Sequence, residues 1–192
     1  GMADLLSPVL TQFQLDHPGV IVRFLTDLRV FRLDYGEAHV AIRAGKMPEE
    51  PDNVVQPLTR LRSALYAAPS YIARHGLPAS EADLVHHRFV GSDNPESRAP
   101  FARWMRATLP AEAISFRTTE QQAMEAAVLS GAGIGFLPLR RAHGHPDLVE
   151  VLPTRPDWDA PLWIVTHVDL HRTRKVQSFP AALKAAATSW DL

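Results

Sequence analysis

An apolar helix stopped by a proline and a glycine, and followed at once by a strand-like run, is what most constrains the fold of this chain. Leu5, Leu6, Val9, Leu10 and Phe13 recur at helical spacing from Ala3 to His17, and His17-Pro18-Gly19 ends the helix. Val20 to Thr26 then alternates, with Val20, Val22 and Phe24 on one face and Ile21 and Leu25 on the other. It therefore reads as a strand buried on both sides. Asp27 can cap a short helix through about Tyr35, Gly36 ends it, and His39 to Arg43 reads as a second buried strand. Strands each introduced by a helix imply right-handed β-α-β crossovers, a parallel sheet covered on both faces, and the α/β class.

Lys46 to Asp52 is a proline- and acid-containing loop, and Val54 to Ala68 is an extended stretch able to carry the chain from one lobe to another. The pattern then restarts. Helices are expected at Pro69 to His75, Glu81 to His86 and Glu120 to Ser130, the last with Met124, Ala127 and Val128 inward. Strands are expected at Arg88 to Val90, Ile114 to Arg117, Ile134 to Leu137 and Pro161 to Val168, with Asp93 to Pro100 a surface loop. A closing helix from about Arg174 to Ala187 fits a chain that returns to its first lobe. The expected organisation is a discontinuous lobe of residues 1–68 and 169–192 and a second lobe of residues 69–168.

Composition removes several function classes. With 192 residues, 46% of them hydrophobic, the chain can build a real core. A net charge of -1 gives no overall attraction to nucleic acid. The lack of cysteine rules out disulfides, thiolate nucleophiles and zinc sites built on sulfur. No apolar run approaches the roughly 20 residues of a membrane span, and the start does not read as a signal peptide, so the expectation is a soluble cytoplasmic protein without a membrane partner.

The residues that could carry chemistry have bland readings beside sharper ones. Thr119-Glu120-Gln121-Gln122 has capping-box spacing, while Thr118 and Thr119 also place hydroxyls at a helix N-terminus, where free N–H groups and the dipole favour a carboxylate or phosphate. Gly131, Gly133 and Gly135 follow a helix and precede a strand, the reverse of a dinucleotide fingerprint, so Gly131 reads as a helix end. Arg43, closing a strand, either clamps a carboxylate or bridges to an acidic neighbour such as Asp34 or Glu37. Trp104 and Arg103 either wall the second lobe or, for the tryptophan, sit in its core. His86-His87 and His143-Gly144-His145 lack partners at ligand spacing, so no metal and no cofactor is expected. No serine sits in a nucleophile elbow, and no nucleophile pairs with a base, so no enzyme is expected.

Several short segments, in this order, resemble the effector-binding domain of LysR-type transcriptional regulators. They are His17-Pro18-Gly19-Val20, the strand Val40-Ala41-Ile42-Arg43-Ala44-Gly45, Ala68-Pro69-Ser70-Tyr71-Ile72, Ser80-Glu81-Ala82-Asp83-Leu84 and the run from Ala126 to Pro138. His39 stands where that family usually has aspartate. The resemblance implies two Rossmann-like α/β lobes joined by two crossover strands, like periplasmic binding proteins of type II. It implies a small organic anion as effector, held between the lobes by Thr26, Asp27, Arg43, Gly45, Ser92, Thr118 and Thr119. It further implies a homodimer or higher oligomer that meets DNA only through a winged helix-turn-helix absent from these residues. The runner-up on the same architecture is a free-standing solute-binding protein, which a secretion signal would support. The family's first strand, normally lying between the equivalents of 20–26 and 39–43, is also not matched. The two flanking strands are then expected to pair directly, or a partner chain to fill the gap.

Overall fold

In a computed structural model that describes residues 2–26, 30–171 and 174–190, the chain is a mixed α/β structure. Its elements run α1 (Ala3–Asp16), β1 (Val40–Ala44), β2 (Asn53–Leu61), β3 (Ser63–Ala67), α2 (Pro69–His75), β4 (Phe89–Ser92), α3 (Pro100–Thr108) and β5 (Ile114–Thr118). They continue with α4 (Gln121–Leu129), β6 (Gly135–Pro138), α5 (Leu139–His143), β7 (Val149–Leu152), β8 (Ala160–His167), α6 (Val168–His171) and α7 (Arg174–Ala187). They fall into two compact units. Unit 1 holds the described residues of 1–59 and 161–190, and unit 2 those of 60–160.

These boundaries differ from the expected 68 and 169 for a reason of pairing. β3 is wholly buried and hydrogen-bonds to β6 and β7, which ties it to unit 2. β8 pairs with β1, which ties 161–168 to unit 1. Sheet partners, not the end of an extended stretch, decide where a compact unit stops.

In unit 1, α1 turns Leu6, Val9 and Phe13 inward, the i, i+3, i+4 face that a helix must bury. They pack with Ile164 of β8 and Leu183 and Phe179 of α7, and the Phe13 and Phe179 rings meet edge-on at 5.3 Å. Gly19 stands beyond the helix at φ 90, where a side chain would be strained. The sheet has the order β1-β8-β2, and β1 runs antiparallel to β8 with Ile42 opposite Ile164.

Three expectations fail in this unit. The β1–β8 pair is antiparallel rather than a parallel crossover. Residues 20–26 form no strand, and Ile21, Phe24 and Leu25 are exposed, Ile21 at 87%. Where a short helix was expected to run to about Tyr35, the described residues 30–35 hold no helix but a turn at 33–36, closed by the Gly36 N–H on Leu33 O at 3.1 Å. Asp27 lies outside the described residues. A strand needs backbone partners as well as alternating side chains, and no described strand lies beside 20–26. The two flanking runs do not close the gap by pairing with each other.

Unit 2 has a three-stranded antiparallel sheet, β6-β3-β7, and a parallel pair, β4-β5. A single bridge between Phe89 and Ile134 links β4 to the run before β6. One core gathers Tyr71, Leu84, Phe89, Met105, Phe136 and Trp158, with Phe101 and Trp104 packed against it. Trp104 is thus a partly buried ring packed on this core, 5.1 Å from Trp158 and 5.7 Å from Phe136, while Arg103 is exposed. α4 ends as its glycine demands. Gly131 has φ 80, its N–H reaches Val128 O, and the Ala132 N–H reaches Ala127 O.

Candidate functional site

The C-terminal ends of parallel strands are where an open α/β sheet leaves polar groups unshielded, because the chain must turn there into loops and helix N-termini. β4 and β5 supply such an end in unit 2. Ser92 and Thr118 are their last residues and stand opposite one another in register. The Ser92 hydroxyl accepts the Asn94 N–H at 3.2 Å, and the Thr118 hydroxyl accepts the Glu120 N–H at 3.1 Å. Each oxygen is used as an acceptor, and each hydroxyl keeps its own proton to donate.

Thr119 follows and is exposed. The expected capping box does not form there. Glu120 is the N-cap, in extended conformation at φ -95 and ψ 123, and no side chain caps α4. The first helical bond is the Met124 N–H to Glu120 O at 3.0 Å, which leaves the N–H groups of Gln121, Gln122 and Ala123 ahead of it. Two hydroxyl donors and an uncapped helix start therefore share one strand-end region. A capping box occurs instead at Ser80, where Asp83 accepts the Ser80 N–H at 2.8 Å.

In unit 1 the named residues are already engaged. Arg43 is largely buried and donates to Glu50 at 2.8 Å and to Phe31 O at 3.2 Å. Its acidic partner is Glu50, not Asp34 or Glu37; Asp34 pairs with Arg32 at 2.9 Å. The Glu50 carboxyl is held below the usual carboxylate range, first by its backbone N–H and then by the Arg43 guanidinium, against an opposing effect of burial. Gly45 has φ 99, its N–H reaches Pro161 O at 2.8 Å, and its carbonyl accepts the Trp163 indole N–H at 2.8 Å. Thr26 is exposed and lies in the run 20–26 that forms no strand.

The structure thus groups Ser92, Thr118 and Thr119 in unit 2, and separately Arg43 and Gly45 in unit 1. Sequence reasoning missed the residues that hold them: Asn94, Glu50 and Trp163. Only Asn94-Pro95 carried a local signal, that of a turn, and the Asn94 side chain does accept the Glu96 N–H at 3.0 Å. Among the described residues no three His, Cys, Asp or Glu side chains are grouped to hold a metal ion, and no helix is long and apolar enough to cross a membrane.

Comparison with known proteins bears on the whole chain. The family model described as LysR substrate binding domain matches residues 2–188. An HTH-type transcriptional regulator of Xanthomonas campestris pv. campestris is 32% identical over 83 residues, 43% of this chain and 24% of its own length. The HTH-type transcriptional regulator CrgA of Neisseria meningitidis serogroup C is 26% identical over 134 residues, 69% of this chain and 44% of its own. The chain spans about half or less of the length of these curated relatives. The regulatory domain of CrgA, a LysR-type transcriptional regulator from Neisseria meningitidis, superposes with a TM-score of 0.78 at 23% identity, covering 96% of this chain and 93% of that one. At that identity the likeness establishes the shared two-lobe, periplasmic-binding-protein type II-like fold.

Proposed function

The chain belongs to the LysR substrate-binding domain family, whose members are regulator domains rather than enzymes, and we propose from that premise that it senses a small organic anion on behalf of a longer, DNA-binding regulator. The observation that carries the ligand class is the pair of hydroxyls on Ser92 and Thr118, each accepting a backbone N–H and each with a proton to give, beside the uncapped start of α4. Hydroxyl protons and helix N-terminal N–H groups are all donors, so the region favours a carboxylate or phosphate oxygen over a cation. Thr119 stands next to them as a further hydroxyl.

Arg43 has a subordinate place in this reading. Glu50 already neutralises it, so an anion would gain from Arg43 only by displacing that half-exposed carboxylate. The regulator is taken to work in the cytoplasm as an oligomer, with effector binding biasing how its DNA-binding part is presented. Thr26 and Asp27 keep only the support of the family resemblance.

Titration calorimetry against aliphatic and aromatic carboxylates, amino acids and phosphates tests the reading. A hydrogen bond to a charged group contributes about 1.5–3 kcal/mol, so Thr118→Val and Ser92→Ala should each weaken the best ligand roughly 10- to 150-fold. Binding unaffected by both substitutions would remove the strand ends of unit 2 as the site.

A further inference from the structure

Away from the strand ends of unit 2, a carboxylate of the chain itself sits where an anion would be bound. Glu50, on the loop between β1 and β2, accepts from Arg43 Nη1 at 2.8 Å. Two further donors act on the same carboxylate, its own backbone N–H and the Asn53 side-chain amide. Converging donors of this kind, a guanidinium among them, are what a bound carboxylate or phosphate requires of a protein. The guanidinium is also held on Phe31 O at 3.2 Å, so its orientation does not rest on Glu50 alone.

The two halves of the pair are held differently. Arg43 lies on β1, opposite Trp163 of β8 in register, and its side chain is 16% exposed. Glu50 lies on a loop with exposed Lys46, Met47, Glu49, Pro51 and Asp52, and its side chain is 52% exposed. Among the described residues the Arg43 guanidinium has no second acid beside it. A carboxylate already half in water gives up little on returning there, whereas a largely buried guanidinium stripped of its counter-charge is costly. Glu50 is therefore the partner free to leave, and what replaces it on Arg43 has to be an anion.

We propose that Glu50 is the chain's own occupant of an oxyanion site on Arg43, and that a carboxylate or phosphate group binds unit 1 by exchange, with Glu50 expelled into water. The exchange leaves Arg43 paired throughout and adds one free carboxylate to the surface. A tethered competitor acts at a high effective concentration, so Glu50 keeps weakly binding anions off Arg43 and sets a threshold of affinity for its replacement. This deepens the Arg43 part of the function proposed above and is independent of the strand ends of unit 2.

The experiment is a calorimetric titration of inorganic phosphate, at fixed ionic strength, into the wild-type chain, Glu50→Gln and Glu50→Gln/Arg43→Met. Glu50→Gln keeps the shape of the side chain and removes the competing charge. Phosphate should bind it roughly 10- to 150-fold more tightly than the wild type, the size of one hydrogen bond to a charged group. The double variant replaces the pair without leaving a buried charge, so it should fold and lose the gain. Glu50→Asp covers the case in which Glu50→Gln is unfolded: it leaves Arg43 a counter-charge on a shorter side chain and should still take phosphate more tightly than the wild type. Equal phosphate affinity in the wild type and Glu50→Gln, or in the wild type and Glu50→Asp where Glu50→Gln is unfolded, overturns the exchange; so does a gain that survives in the double variant. Phosphate held at Ser92 and Thr118 would add the same background to every chain, so failure here leaves that reading standing, and failure of the Ser92 and Thr118 substitutions leaves this one.

Discussion

Gly133→Ala probes the seam that holds β4 in place, and with it Ser92. A Cβ at Gly133 would stand 2.8 Å from Arg88 O, 3.1 Å from Arg88 C and 3.2 Å from Phe89 C. All three are backbone atoms, so no side-chain rotation relieves the contact. The same seam carries two hydrogen bonds, the Ile134 N–H to Arg88 O at 2.9 Å and the Val90 N–H to Ile134 O at 2.8 Å. Overpacking of a tight interior costs about 1–3 kcal/mol, and weakening the bond whose acceptor, Arg88 O, the Cβ would strike adds about 1 kcal/mol, so the substitution should cost about 2–4 kcal/mol. Urea unfolding followed by tryptophan fluorescence reads this directly, because Trp158 lies in the core of unit 2 and Trp104 packs on it. Gly144→Ala is the internal control. Gly144 has φ -73 and ψ -6, and a Cβ there would meet only Arg141 O, at an ordinary 3.4 Å. It should be neutral or gain about 0.4–1 kcal/mol. A Gly133→Ala midpoint indistinguishable from wild type, or a Gly144→Ala loss of the same size, would refute the seam argument.

Two further predictions concern charge and exposure. Ile21→Lys should change unfolding free energy by no more than about 0.5 kcal/mol in the isolated chain, because Ile21 is 87% exposed; a loss of several kcal/mol in the same urea assay would restore the buried strand. Glu125 on α4 is buried and takes Arg141 of α5 in a two-pronged pair, Nε at 2.9 and 3.0 Å and the terminal nitrogen at 2.7 Å. Arg141 is a third exposed and can turn to water, whereas Glu125 cannot. Arg141→Met should therefore cost about 3 kcal/mol and Glu125→Gln clearly less; the reverse order in thermal or urea melts would contradict it.

What could be read from the sequence follows the range of the interaction. α2 and α7 occur where the sequence put them, since Pro69 at the first turn, Gly76 just past the end and an alanine-rich interior are local signals. β4 was legible for the same reason, as a short apolar run at Arg88 to Val90, whereas β2 and β3 were read only as one extended stretch, Val54 to Ala68. Residues 20–26 carry an equally good local pattern and form no strand, because strand pairing is supplied from elsewhere in the chain. The antiparallel match of β1 with β8 joins segments separated by most of the chain, which no periodicity records. α3 went unread although Pro100 opens it and Ala102, Met105 and Leu109 bury one side.

The site divides along the same line. Ser92 was named only through the family resemblance, and Thr118 through that and its place at a helix start; that the two end neighbouring parallel strands is a matter of pairing the local pattern did not carry, since it ended those strands at Val90 and Arg117. Arg43 was left between clamp and ion pair, and its partner proved to be Glu50, on a loop whose return toward β1 has no signature in the residues themselves. The misread cap at Thr119 is the instructive case. A capping side chain and a bound anion compete for the same first-turn N–H groups, so a helix that is capped has already spent what a ligand would need. By turning its hydroxyl onto the Glu120 N–H, Thr118 shifts the helix start one residue on and leaves Gln121, Gln122 and Ala123 without a side-chain cap. The failure of the local rule leaves the α4 start without a side-chain cap, which is the feature the proposed anion reading uses.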